Sequence, residues 1–189
     1  MLGRPMHRQV LLLAVAQALF QTASVMVMTV GGLAGGQLTS RPELSTLPIA
    51  AMFLGTAATT FPASMWMTNV GRRTGFVVGA LLGVTGGLVA AAGLWLGSLA
   101  LLACGTLLVG AYQAFAQFYR FAASEVADAA FQSRAISLVL GGGVVAALAG
   151  PAIGRFGGPL LEPTYVGSFL LLAAVSMAPA GVLLGLRIP

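Results

Sequence analysis

The chain has 189 residues, 58 % of them hydrophobic and 7 % charged, with nine basic residues, four acidic ones and a net charge of +5. A water-soluble domain carries roughly 25 % charged residues. This chain has too few to cover a core of its own size, which excludes that class and leaves the bilayer as its solvent. The basic residues are all arginines, scattered singly or as one adjacent pair, so the positive charge speaks for orientation in a membrane rather than for nucleic acid.

Six stretches reach the roughly 20 apolar residues that a spanning helix needs: 9–32, 47–70, 74–96, 99–121, 135–156 and 165–186. Backbone polar groups cannot go unpaired in lipid, and the short alternating segments of a barrel are absent. The expectation is an all-α membrane protein, a single six-helix bundle over 1–189.

The first stretch follows a basic lead containing Arg4, His7 and Arg8. Its Ala-Val-Ala could be read as a leader cleavage site, but the apolar run continues through Val30, too long for a signal core, so it is taken as a span. Gln17, Gln21, Ser24 and Met28 fall on one of its faces by helical spacing. The second stretch, after LTSRPELST, contains Pro62, which removes a backbone donor and is expected to kink the helix. Gly71-Arg72-Arg73-Thr74-Gly75 then links it to the third, where Gly79, Gly83, Gly87 and Ala91 form a stripe of small residues. Helices in lipid associate at such stripes, because small side chains let backbones approach.

A tight WLGS turn leads into the fourth stretch. Its Cys104 reads as a small buried hydrophobe; as the lone cysteine it allows no intrachain disulfide and joins no metal-ligand cluster. Gln113, Gln117, Arg120 and Ser124 share one face here. After the polar connection ASEVADAAFQSR, the fifth stretch carries a second stripe, Gly142, Ala146, Gly150 and Gly154, with Pro151 inside it. RFGGPLLEPTY precedes the sixth.

Polar residues inside a membrane are costly and therefore informative. The glutamine pairs have equal spacing and lie in the opening helix of each set of three, and Pro62 and Pro151 each lie in the second helix of a set. This suggests a 3+3 internal repeat, which in membranes often means inverted topology and a transporter. The glutamines serve either as interhelical hydrogen-bonding groups or as the polar wall of a solute pathway.

With six spans both ends lie on one side. An inward N-terminus puts Arg4, Arg8, Arg72, Arg73, Arg120, Arg134 and Arg187 inside, and Arg41 and Arg155 outside. That bias places both termini and the Arg72–Arg73 loop in the cytoplasm. No carboxylate falls mid-membrane: Glu43 and Glu162 are in outer loops, Glu125 and Asp128 near the inner end of the fourth span. A proton carrier would have to come from elsewhere. His7, in the basic lead, reads as a solvated residue rather than a ligand. No GxGxxG or Walker pattern occurs, so no nucleotide site, cofactor, metal or catalytic residue is expected, and transport would be secondary rather than ATP-driven.

The stretch from Ser64 to Arg73, S-M-W-M-T-N-V-G-R-R, resembles the G-x-x-x-D-R-x-G-R-R signature between the second and third helices of the major facilitator superfamily. Gly71, Arg72 and Arg73 match; Ser64 stands for the first glycine, Thr68 for the aspartate and Asn69 for the arginine. The missing aspartate implies a weaker or differently built charge network at this loop. Gly150-Pro151-Ala152-Ile153-Gly154 is similar to the end of the glycine-proline motif of family antiporters, with Ala146 and Ser137 where glycines would be expected. The resemblance covers nearly the whole chain and corresponds to the N-terminal six-helix half of the family fold.

It implies that the first and fourth helices line a cavity, making Gln17, Gln21, Gln113, Gln117 and Arg120 candidates for the solute pathway. It implies a bacterial cytoplasmic membrane, a small-molecule solute, and a second half or a second copy as partner, with the fifth-helix stripe packing between the halves. The alternative is a non-transporting membrane scaffold that kept the helices.

Overall fold

A computed structural model describes residues 3–186, all of its regular structure helical. The helices are α1 (Gly3–Gln37), α2 (Leu47–Val70), α3 (Arg72–Trp95), α4 (Leu99–Ala116), α5 (Tyr119–Val126), α6 (Gln132–Gly157) and α7 (Val166–Leu184), with 3-10 turns at Pro42–Leu44 and Gly158–Leu160. α4 and α5 make one span, so six helical units are long and apolar enough to cross a membrane. The chain is an integral membrane protein.

Local chemistry explains the ends. Gly71, at φ 86°, is the whole link between α2 and α3, and Gly97, at φ 68°, closes α3; side chains are rarely tolerated at such angles. Ser98 caps α4 by accepting from the Leu101 amide at 3.2 Å. Most bounds lie within a few residues of those expected. α1 is the exception: it is 35 residues long, about 52 Å at the helical rise, so its ends project beyond a hydrocarbon core of about 30 Å. The start of α2 and the turn before it pack on its terminal glycines: Gly31 faces Pro48 and Ile49, and a Cβ on Gly35 would meet the Ser45 carbonyl. The fourth span also departs from expectation, breaking at Gln117–Phe118 before continuing as α5.

The major helix pairs are α1 with α6, α2 with α4, α3 with α4, α3 with α7 and α1 with α7. Exchanging the first three spans for the last three turns this set into itself. The first pair becomes the second, α3–α4 becomes α7–α1, and α3–α7 maps onto itself. That is the pairing a 3+3 repeat produces.

The small-residue stripes lie in these pairs. Gly79 faces Phe115, and Gly83 sits against Tyr112 and Ser176. A Cβ on Gly87 would lie 2.8 Å from the Ala173 amide nitrogen. On α6, Gly142 faces Ala14 and Ala18, Gly150 faces Thr22 and Val25, and Gly154 faces Met26 and Val30. This corrects one expectation: the α6 stripe is consumed by α1 inside the bundle and is not free to join another half.

The expectation that Cys104 is a small buried hydrophobe is also corrected, because the residue is exposed on α4. Lipid and core are equally apolar, so a membrane helix does not need to bury its thiol. Pro62 and Pro151 lie inside α2 and α6 as expected; Pro179, inside α7 and buried, was not anticipated.

Coverage is uneven. In their most apolar stretches α2 and α6 are only 17 % and 22 % buried, against 50–61 % for the other four spans. Large side chains stand exposed along both, among them Phe53 and Phe61 on α2 and Val144 and Leu148 on α6.

Candidate functional site

α1 and α4 run antiparallel, so their polar faces meet in opposite order. Gln17, Gln21, Ser24 and Met28 from α1 share a recess of about 330 Å³ with Gln113 from α4, Gln117 from the break and Arg120 from α5. Phe20, Val25, Met52, Phe53 and Leu140 complete the lining. All five pathway candidates therefore border one space. Ser124 does not: beyond the break it lines a separate recess with Ser64, Thr68, Arg72 and Glu125. The sequence reading also missed α2 as a contributor, since Met52 and Phe53 carry no polar signal.

The lining is chemically mixed. Apolar Met28, Met52 and Phe53 stand with hydrogen-bonding Ser24, Gln21, Gln113 and Gln117, and with one cation, Arg120. The glutamine pairs differ in how they are satisfied. Gln17 Nε2 donates to Gln21 Oε1 at 2.9 Å. Gln113 Oε1 and Ser24 Oγ are buried without a hydrogen-bond partner. Buried polar atoms are normally paired, and these two orphans belong to residues that line one recess. Arg120 has no carboxylate partner among the described residues; its guanidinium lies 5.0 Å from the Phe121 ring centre.

Behind this wall the core is aromatic. Phe20 meets Tyr112 edge-on at 5.2 Å, and Tyr119 stacks edge-on against Phe76 at 4.7 Å. These rings hold α1, α3 and the α4–α5 break together, fixing the lining residues in front of them.

The Arg72–Arg73 loop is built as a latch. Arg72 grips Glu125 of α5 with two nitrogens, Nε lying 2.6 Å from Oε2 and Nη2 bonding Oε1. Arg73 donates to the Leu184 carbonyl at 2.5 Å, at the end of α7, where a cation also complements the helix dipole. Thr68 and Asn69, standing where the signature has Asp and Arg, turn back to the Met65 carbonyl on their own helix. The network is thus differently built, with Glu125 as the anion. Gly150, Pro151 and Gly154 form no part of the recess and pack along α6, the two glycines against α1.

Comparison with known proteins agrees with this architecture. No protein-family model matches the chain. The riboflavin transporter RfnT of Brucella anthropi is 39 % identical over 184 residues, covering 97 % of this chain and 46 % of the relative. An uncharacterized MFS-type transporter of Bacillus subtilis, YdeG, is 30 % identical over 161 residues, 83 % of this chain and 37 % of the relative. A second from that organism, YddS, is 26 % identical over the same length. The chain belongs to the major facilitator superfamily. It spans about half the length, or less, of the curated relatives it matches. They carry transporter names rather than enzyme names.

Proposed function

We propose that this chain forms one six-helix wall of a secondary transporter, and that the recess between α1 and α4 is its share of the solute pathway. The observation that carries this reading is the convergence of Gln17, Gln21, Gln113, Gln117 and Arg120 on one recess. Polar groups at membrane depth are rare unless they face a pathway or a partner. Alternating access moves one bundle against another around a site between them. A second bundle, whether another half or a second copy, would cover the recess and the exposed faces of α2 and α6. Gly71, Arg72 and Arg73 would steady one state of that cycle by holding α3 to α5 and α7.

The relative named as a riboflavin transporter makes riboflavin the first solute to test. A flavin ring offers a flat face to the exposed Phe53, and a hydrogen-bonding edge to the amides of Gln21 and Gln113. The bacterial relatives and the arginine bias support a bacterial cytoplasmic membrane with both termini inside. In a Cys104→Ala background, a cysteine at Thr39 should react with an impermeant thiol reagent on intact cells, and one at Thr74 should not. The reverse pattern would overturn the orientation.

The functional test is reconstitution into liposomes at protein ratios that separate single chains from pairs. Riboflavin flux is expected only where a second bundle is present. Sustained flux from verified single chains would refute the one-wall reading.

A further inference from the structure

The charge of the recess is one-sided. Of its lining residues only Arg120 is ionisable, and no carboxylate faces it. The described carboxylates are placed elsewhere: Glu125 is held by Arg72, Asp128 accepts from the Phe131 amide, and Glu43 and Glu162 lie in the loops after α1 and α6. The Arg120 guanidinium rests by the Phe121 ring, which leaves its donors unclaimed by any carboxylate. Ser24 Oγ and Gln113 Oε1, both buried and unpartnered, belong to residues that line the same recess. Ser24 is itself 6 % exposed. The lining therefore combines apolar, hydrogen-bonding and cationic groups.

We infer that the recess selects solutes that carry an anionic group, with Arg120 as the residue that reads the charge. The ligand class is amphipathic: a flat or apolar body toward Met52 and Phe53, hydrogen-bonding edges beside Ser24 and Gln113, and a phosphate or carboxylate at Arg120. A guanidinium suits this role because its planar fork matches such oxyanions with two parallel hydrogen bonds. A cationic solute would meet Arg120 with nothing in this wall to offset the repulsion. This rests on the recess being a solute pathway, and it adds a charge preference that riboflavin, a neutral molecule, does not reveal.

Two measurements test it. In nanodiscs of zwitterionic lipid, quenching of flavin fluorescence gives the affinities of riboflavin and riboflavin 5′-phosphate for the chain. The phosphate ester should bind at least about threefold tighter at low salt, with the gap closing as salt rises. Arg120→Gln should abolish the preference and Arg120→Lys should keep part of it. Equal affinities, or a preference untouched by Arg120→Gln, would overturn the inference while leaving the flavin reading intact.

Absence of saturable quenching with both flavins would instead remove the flavin reading. The second measurement then still decides the charge question. With Cys104→Ala and Gln117→Cys, an anionic thiol reagent should outpace a cationic one of similar size relative to their rates with a free thiol. Adding Arg120→Gln should erase that advantage. An advantage that is absent, or that survives loss of the guanidinium, sinks the proposal.

Discussion

The first three spans and the last three pair alike but are finished differently. α1 is one unbroken helix, and its recess glutamines, Gln17 and Gln21, bond to each other. Its counterpart breaks at Gln117–Phe118 and leaves Gln113 Oε1 without a partner. The α2–α3 link is a single glycine latched by Arg72 and Arg73, with Glu125 and the Leu184 carbonyl as acceptors. The corresponding α6–α7 link is longer and closes through a buried hydroxyl, Ser168 Oγ donating to the Gly154 carbonyl at 2.6 Å. One arrangement of helices thus carries two chemistries. The first set supplies a bonded glutamine pair, the unpartnered Ser24 Oγ and the arginines of the latch, while the second supplies the latch's Glu125, the unpartnered Gln113 Oε1 and Arg120, which has no carboxylate partner among the described residues.

The matching packing pairs offer the strongest way to break this comparison. α2 and α4 touch through glycines from both helices: a Cβ on Gly55 would run into the Leu107 carbonyl, and one on Gly110 into the Met52 carbonyl. Thr56 Oγ1 also bridges to the Gly110 carbonyl at 3.1 Å. α1 and α6 meet more loosely, a Cβ on Gly142 lying 2.9 Å from the Ala18 nitrogen and 3.0 Å from the Ala14 oxygen. Rigid backbone cannot move aside as a side chain can. Gly110→Ala should therefore destabilise by roughly 1–3 kcal/mol, and Gly142→Ala by less. Gly141→Ala, with nothing near its Cβ, should fall within about 0.5 kcal/mol of the parent. Thermal unfolding in detergent gives the ranking, and equal losses at Gly110 and Gly142 would show the two pairs to be equivalent.

The glutamines sharpen the comparison at the recess. Replacing Gln113 by leucine removes a buried acceptor that nothing satisfies, so stability should hold or rise slightly, while flavin affinity should drop about two- to tenfold, the worth of one hydrogen bond. Gln17→Leu instead strips Gln21 Oε1 of its donor. It should lower stability by about 1 kcal/mol or less, since Gln21 borders the recess and water can replace the bond. Melting curves and flavin titration on both variants separate the outcomes. Identical behaviour would mean that the two polar faces are not specialised.

These asymmetries were only partly readable from sequence. Periodicity located the spans, and the polar positions Gln17, Gln21, Gln113, Gln117 and Arg120 pointed to the recess, because a polar side chain in a membrane helix favours a side away from lipid. Apolar residues carry no such signal. Met52 and Phe53 were therefore missed, and Cys104 was placed inside when it faces out. A stripe of small residues says that something packs there but not what, so the α6 stripe was given the wrong partner. The break at Gln117–Phe118 had no herald either: Ala-Phe-Ala-Gln-Phe-Tyr contains neither glycine nor proline, and the tyrosines on either side of it, Tyr112 and Tyr119, pack against Phe20 and Phe76.

The smallest expected effect concerns the latch. Arg72 and Glu125 are joined by two hydrogen bonds, a geometry that strengthens an ion pair. However, their side chains are 28 % and 43 % exposed, so water and salt compete with the contact. Exposed pairs typically contribute about 0.2–1 kcal/mol. A double-mutant cycle of Arg72→Gln and Glu125→Gln should give a coupling in that range, shrinking as salt rises. Arg155, which has no carboxylate partner among the described residues, should show no such coupling with Glu162 in the opposite loop. If the latch matters to function it does so through the balance between states, where even a fraction of a kcal/mol shifts populations, and not by holding the bundle together. A coupling well above 1 kcal/mol, or one indifferent to salt, would mean that the pair is a structural clasp between the first three spans and the last three instead.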